Sequence, residues 1–151
     1  MMAALQTKPY ALQRGEGQSL QLEGTQVFVM ASSEQTGGAF NLFEVSCLPG
    51  YATALQIHYA EDVAVYVLEG ALTFFWGDEK KTAVAGSYLF QPRGTPHGFR
   101  VEGVTPARIL YLTCPAGLDW FVIEQGLLTP KLESATAAAR YKIEILGLLP
   151  E

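Results

Sequence analysis

Short strand-like segments, each closed by a Gly- or Pro-containing turn, follow one another from about residue 19 to residue 114. Residues 19–23 alternate between polar and apolar side chains, as a half-buried strand does, and 63–68 form a β-branched and aromatic run typical of a central strand. No helical pattern separates these segments, which argues against a parallel α/β sheet. The pattern predicts an all-β fold, an antiparallel sandwich or barrel.

The pattern changes after Pro115. Residues 118–126 predict a short helix stopped by Gly126, and the Ala-rich residues 132–141 predict a second helix. Residues 142–149 suit either a last strand or a packing tail. There is no internal repeat and no long linker, so residues 1–151 are expected to form a single domain, with the barrel at about 10–115 and a C-terminal helical extension at 116–151.

Composition excludes several classes of function. Apolar residues make up 49% of the chain and charged residues 17%, which argues against disorder. The net charge is −5, and no basic cluster extends beyond Lys80 and Lys81, so nucleic-acid binding is not expected. No apolar run reaches the ~18–20 residues that cross a bilayer. The N-terminal residues lack the features of a signal peptide, and a cytoplasmic location is expected.

Two cysteines and two histidines are the residues with the most reactive side chains. Cys47 and Cys114 lie in apolar surroundings, and we expect two reduced core thiols rather than a disulfide or a nucleophile. His58 precedes one strand-like run and His97 follows a Pro- and Gly-rich loop. These histidines either meet inside a barrel or are unrelated.

The first histidine lies in a spaced pattern of residues. Gly50 is followed after five intervening residues by Gln56 and His58, then by Val63 and, after six intervening residues, by Gly70. This order resembles the first conserved motif of the cupins.

The second histidine lies in a matching pattern. Gly86 is followed after five intervening residues by Pro92 and Gly94, then by His97 and, after three intervening residues, by Val101. This order resembles the second cupin motif, and both motifs occur in the same chain at the family spacing. Residues 36–44 and 140–147 are similar to a subgroup of small quercetin 2,3-dioxygenase-like cupins, so the resemblance covers about residues 10–147. It implies a jelly-roll β-barrel, made of an antiparallel double sheet with short C-terminal helices, and a homodimer.

Many cupins bind a divalent metal through two histidines and a glutamate of the first motif and one histidine of the second. At these positions the chain has Gln56, His58, Val63 and His97, and Val101 replaces the usual closing asparagine. An amide is a poor ligand for transition metals, and valine supplies no charge. The resemblance therefore leaves His58, His97 and Gln56 as candidate metal ligands, for a weakly held divalent transition metal or for none.

Two acidic residues could replace the missing glutamate. Asp62 is one residue from position 63 and so faces the other side of a regular strand, whereas Glu61 lies where a loop is expected. We expect both to be solvated charges at the entry to a strand, with metal ligation as the alternative. Glu44 is expected on an outer face.

The inward-facing positions of these strands predict a ligand pocket with a polar end and an apolar wall. Its predicted residues are Gln56, His58, Val63, Val65, His97, Phe99 and Val101. The alternative for the four apolar members is ordinary barrel core. Tyr51, Tyr59 and Trp76 are expected to pack, or to gate the mouth.

Four functions are compatible with these features. The leading one is a cupin that binds a small, largely apolar or aromatic molecule, with a degenerate metal site. The alternative is a metal-dependent, quercetinase-like dioxygenase. A histidine could also act as a base without metal, and a purely structural dimer would need no ligand.

Overall fold

Eleven strands and three helices form the part of the chain that the computed structural model describes, residues 7–125 and 135–150. The strands are β1 Gln18–Leu22, β2 Thr25–Ala31, β3 Asn41–Cys47, β4 Leu55–His58, β5 Asp62–Glu69, β6 Ala71–Trp76, β7 Glu79–Val84, β8 Tyr88–Gln91, β9 His97–Glu102, β10 Ala107–Cys114 and β11 Ile143–Gly147. The helices are α1 Ser33–Thr36, α2 Leu118–Gln125 and α3 Ala135–Arg140.

The strands pair antiparallel in two sheets. One sheet has the order β1-β2-β3-β10-β5-β8 and the other the order β11-β4-β9-β6-β7. Neighbours that are far apart in sequence, such as β3 and β10, give the crossed connections of a jelly roll. The prediction of an all-β jelly roll built from an antiparallel double sheet is confirmed. The two sheets are not closed into one continuous barrel, because no strand in the described residues is hydrogen-bonded into both.

The core lies between the two sheets and follows the period-two alternation of the strands. On β2, β3 and β10, every second residue is buried and the residues between them are half-buried or exposed. The largest fully buried side chains include Phe43, Phe74, Ile109 and Leu72. Glu44 lies on the outer face, as expected, where it forms an ion pair with Arg108.

The C-terminal part adds both helices and a strand. Helices α2 and α3 confirm the predicted helical segments, although Gly126 and residues 132–134 lie outside the described residues. Residues 143–147 form β11, which pairs with β4, so a helical extension is an incomplete description of residues 116–151. Asn41 anchors α2, because its Oδ1 accepts hydrogen bonds from the backbone N–H groups of Gly117 and Asp119. No described helix is long and apolar enough to cross a membrane.

The polar segment between β2 and β3 includes α1, because Ser32 and Gln35 form a capping box that satisfies the first turn. The expectation of two core thiols is wrong for one of them. Cys47 is buried, and burial raises the pKa of its thiol to about 12. Cys114, however, is exposed, since the alternation of β10 points Thr113 inward and Cys114 outward. Both thiols are free.

The turn between β5 and β6 generates a prediction about stability. Gly70 has φ +86°, and a Cβ there would lie 2.8 Å from Ala107 Cα and 2.8 Å from the Pro106 carbonyl oxygen. Gly86 has φ +92° with no atom within 4 Å of such a Cβ. We expect Gly86→Ala to cost about 1–2 kcal/mol for the left-handed conformation alone, and Gly70→Ala to cost clearly more. Chemical denaturation measures both, and equal losses would contradict the close approach.

Candidate functional site

Both histidines point into the interior from neighbouring strands. Gln56 and His58 alternate inward on β4, and each is only 1% exposed. His97 opens β9 and is 5% exposed. Gln56 and His97 are directly opposite each other in the antiparallel register, and the rings of His58 and His97 are 5.1 Å apart between centroids, at 34°. The structure therefore brings together the three candidate metal ligands inferred from the sequence.

Both ring nitrogens of His58 have a hydrogen-bond partner. Nδ1 lies 2.7 Å from Glu61 Oε1, and Nε2 lies 3.2 Å from Gln56 Oε1. The Gln56 amide nitrogen faces the Ala54 carbonyl oxygen at 3.5 Å, and reversing the amide would place two acceptors together. Oε1 of Gln56 therefore faces His58, and the imidazole is held between this amide oxygen and a carboxylate oxygen of Glu61.

The burial of Glu61 contradicts the expectation of a solvated charge. Its exposure is 5%, because the loop after β4 turns the carboxylate inward onto His58. Asp62 behaves as expected: it is partly exposed and paired with Arg93, and hydrogen bonds from Arg93 hold the pKa of Asp62 below its usual value. The strand alternation that places Asp62 does not extend into the loop, so it could not place Glu61. The available signal in the sequence was that Glu61 follows His58 by three residues, which is close enough for a contact.

His97 is arranged differently from His58. Its Nδ1–H donates to the Thr95 carbonyl oxygen at 2.9 Å, and its buried Nε2 has no hydrogen-bond partner in the described structure. Burial, and to a smaller extent the neighbouring His58, lower the pKa of His97 to about 3, against the opposing effect of the Thr95 hydrogen bond. His97 is therefore neutral near pH 7. Its Nε2 presents a lone pair to the interior.

Two more buried polar atoms of the described residues lack a partner, Trp76 Nε1 and Thr113 Oγ1. Trp76 lies opposite His97 in the β6–β9 register, and therefore beside it on the same face. Thr113 lies opposite Val63 on the facing sheet. From the sequence, Thr113 was not predicted as a site residue, and Trp76 was assigned to packing or gating. The pairing between strands, which places both residues, cannot be read from the sequence of one strand.

The apolar residues of the predicted pocket lie in the hydrophobic core. Val63, Val65, Phe99 and Val101 are at most 3% exposed. The Phe99 ring packs against Phe74, with centroids 5.4 Å apart. These four side chains thus extend the polar end of the interior into an apolar wall.

The aromatic residues expected near the mouth have different surroundings. Tyr51 is half-buried and its ring packs at 6.0 Å from that of Phe99. Tyr59 is exposed, and its hydroxyl donates to Glu144 at 2.6 Å. Of the three, Trp76 alone lies beside a histidine in the strand register.

The donor set does not fit a catalytic metal centre. The described residues contain no group of three or more His, Cys, Asp or Glu side chains placed to hold a metal ion. Both ring nitrogens of His58 are engaged, by Gln56 and by Glu61, and Val63 supplies no donor. A catalytic site needs about three good protein ligands, whereas among the three candidate ligands only His97 has a ring nitrogen without a hydrogen-bond partner in the described structure.

The fold and the two histidine-bearing strands define a class of protein. A family model described as the cupin domain matches residues 43–113, which contain both motifs. This match covers 71 of the 151 residues, and together with the two-sheet jelly roll it makes the chain similar to the cupins in both motifs and in fold.

Among known proteins, the chain is similar to quercetin 2,3-dioxygenase from Bacillus subtilis (strain 168), with 36% identity over 95 residues. The match covers 62% of this chain and 28% of that enzyme, so the chain spans little more than a quarter of its relative. KdgF from Halomonas sp. superposes with a TM-score of 0.66 at 19% identity, over 75% of this chain and 99% of that one. The polyketide cyclase RemF from Streptomyces resistomycificus gives a TM-score of 0.62 at 22% identity, over 71% and 80%. These two likenesses show the fold alone.

The buried His58–Glu61 pair generates a prediction with a neighbouring control. We expect Glu61→Ala to lower the free energy of unfolding by about 3–5 kcal/mol, because it leaves a buried imidazole without its partner. Asp62→Ala should cost far less, since the ion pair it breaks is largely exposed to solvent. If the two variants lose the same free energy of unfolding in denaturant titrations, Glu61 does not form the buried pair.

The low pKa of His97 predicts how stability depends on pH. In the unfolded chain His97 takes up a proton near its ordinary pKa of 6.5, but in the folded chain only near about 3. The unfolded state thus binds more protons between these values, and stability falls as the pH falls through this window. We expect His97→Gln to make this dependence shallower in denaturant titrations. Parallel curves for the variant and the wild type would contradict a buried neutral His97.

Proposed function

We propose that the protein binds a small, largely apolar or aromatic molecule between its two sheets, at the end marked by Gln56, His58 and His97, and that it does so without a metal. The observation that carries the proposal is the set of three buried polar atoms without partners, His97 Nε2, Trp76 Nε1 and Thr113 Oγ1. Buried polar groups are nearly always hydrogen-bonded, because leaving one unpaired costs about 1–3 kcal/mol.

The three atoms offer complementary hydrogen-bonding chemistry. Neutral His97 accepts at Nε2, the Trp76 indole donates, and the Thr113 hydroxyl does either. Trp76 and His97 are side by side in the strand register, so a single polar group of a ligand could serve both. The remainder of the ligand would contact Val63, Val65, Phe99 and Val101. Binding sites of this kind, mostly apolar with a few convergent polar groups, are typical of small-molecule pockets.

The relative that acts on quercetin supports an aromatic ligand, and it also suggests the alternative of a metal-dependent dioxygenase. One observation favours that alternative: both histidines direct Nδ1 to an oxygen acceptor, as metal-ligating histidines do. The donor set weighs against it, because Gln56 and Val63 stand at two of the four ligand positions.

Binding to quercetin, used as a probe, tests the proposal. The variant Trp120→Phe removes the exposed tryptophan and leaves Trp76 as the only indole, so a change in its fluorescence reports occupation beside His97. We expect binding to persist in chelator and to weaken about tenfold in His97→Leu, which removes one acceptor. Tyr59→Phe alters an exposed tyrosine and should bind as the wild type does.

Metal analysis of the same samples separates the two functions. We expect the wild type to take up no stoichiometric iron, manganese, nickel or copper, and the double variant Gln56→His, Val63→Glu to gain metal, because it restores the four-ligand set. If quercetin binding or turnover appears only with added metal and is lost in His58→Ala, the protein is a metal-dependent dioxygenase and the proposal of metal-free binding is wrong.

We further propose that the protein forms a homodimer through the outer face of the six-stranded sheet. The outward side chains of β5 and β8 include Tyr66, Tyr88 and Phe90, which are 44%, 65% and 50% exposed. The cross-strand register places Tyr66 beside Tyr88, so these rings form one apolar patch at an open sheet edge.

Sedimentation analysis tests this interface. We expect Phe90→Lys and Tyr88→Lys to shift the protein from dimer to monomer, because a charge would be buried against the partner. Val104 is an apolar residue in the loop between β9 and β10, outside the patch, and is 90% exposed. Val104→Lys should therefore leave the dimer intact. A monomeric wild type, or a dimer that survives both patch variants, would refute this face as the interface.

A further inference from the structure

A cleft of about 220 Å³ is lined by Glu61 and by residues of the C-terminal part, and none of the predicted pocket residues lines it. Three segments line it: the loop before β5, the residues between β10 and α2, and the turn between α3 and β11. The residues that determine the chemistry of the cleft are Glu61, Leu118, Arg140, Tyr141 and Lys142. Ala60 and Ala116 add small apolar surfaces. The cleft therefore has a narrow apolar wall and a charged rim.

The charged groups of this rim differ in their partners. Glu61 is paired with His58 at 2.7 Å. Arg140 donates from Nη2 to Glu124 at 2.8 Å, and the Tyr141 hydroxyl also donates to Glu124. Lys142 forms no ion pair with the described residues. The Lys142 ammonium therefore remains available to a ligand, together with the unused donors of the Arg140 guanidinium.

The backbone of Lys142 supports a role for its side chain. Lys142 has φ +59° and is the only non-glycine residue of the described chain with a positive φ. It follows the end of α3, where its N–H donates to the Ala139 carbonyl oxygen, a position at which helices favour glycine. A lysine here costs backbone energy that glycine would not. Such strained positions concentrate at functional sites.

We propose that this cleft binds a small aromatic carboxylate, with the carboxylate on Lys142 and Arg140 and the ring against Leu118 and Tyr141. A carboxylate pairs with an ammonium group and with the planar fork of a guanidinium. The small volume and the apolar wall of Ala60, Ala116 and Leu118 favour a single ring over a larger ligand. This site is separate from the interior site of the proposed function, although both include Glu61.

Benzoate is the probe, and benzamide is its neutral analogue. In titrations followed by backbone amide shifts, we expect benzoate to shift Gly117 and Lys142, and benzamide to bind at least about tenfold more weakly, because it lacks the charge. Lys142→Gly keeps the left-handed turn and removes the ammonium, so it should fold at least as stably as the wild type and bind benzoate about tenfold more weakly. Lys142→Arg should retain binding.

The matched control is Lys81→Gly, which removes an exposed lysine from β7, and it should leave benzoate affinity unchanged. Equal binding of benzamide and benzoate, or full benzoate binding by Lys142→Gly, would overturn the proposal. Inorganic phosphate that displaces benzoate and binds more tightly would also overturn it, by making the cleft a phosphate site. The interior site is judged separately: His97→Leu should weaken quercetin binding and not benzoate binding, and Lys142→Gly should do the reverse.

Discussion

The position of β4 is the constraint on which the site depends. This four-residue strand carries Gln56 and His58, yet it pairs with β9 only where Gln56 faces His97. Its remaining pairing is to β11, at Ile143, Glu144, Ile145 and Gly147. The hydrogen bonds to β11 therefore hold β4 in register. A shift of one residue would turn both polar side chains out of the interior and replace them with their neighbours.

Polar burial in this site is divided between two solutions of one physical problem. Both ring nitrogens of His58 are satisfied, by Glu61 and by Gln56. His97 avoids the cost of a buried charge by remaining neutral, since its pKa is far below its usual value. Two imidazoles 5.1 Å apart thus have different partners, a carboxylate and an amide for one and a backbone carbonyl for the other.

Sequence spacing was sufficient for the fold and for part of the site. The intervals from Gly50 to Gly70 and from Gly86 to Val101 identified the two motifs, and strand alternation placed Asp62 on the correct side. Glu61 was misplaced because a loop has no periodicity. Trp76 and Thr113 acquire their relation to the histidines only through pairing between distant strands, and α1 is a single capped turn inside a polar segment.

The C-terminal strand β11 also affects the order in which the two sheets form during synthesis. β4 leaves the ribosome before β5 to β10, whereas β11, its principal partner, is made after all of them. Closing so long a loop is entropically costly and slow compared with forming local hairpins. The sheet built on β6, β7 and β9 can therefore assemble on the nascent chain while β4 still lacks its outer neighbour. The histidine site therefore forms late during translation. Most of the core can form before β11 holds β4, and with it His58, in position.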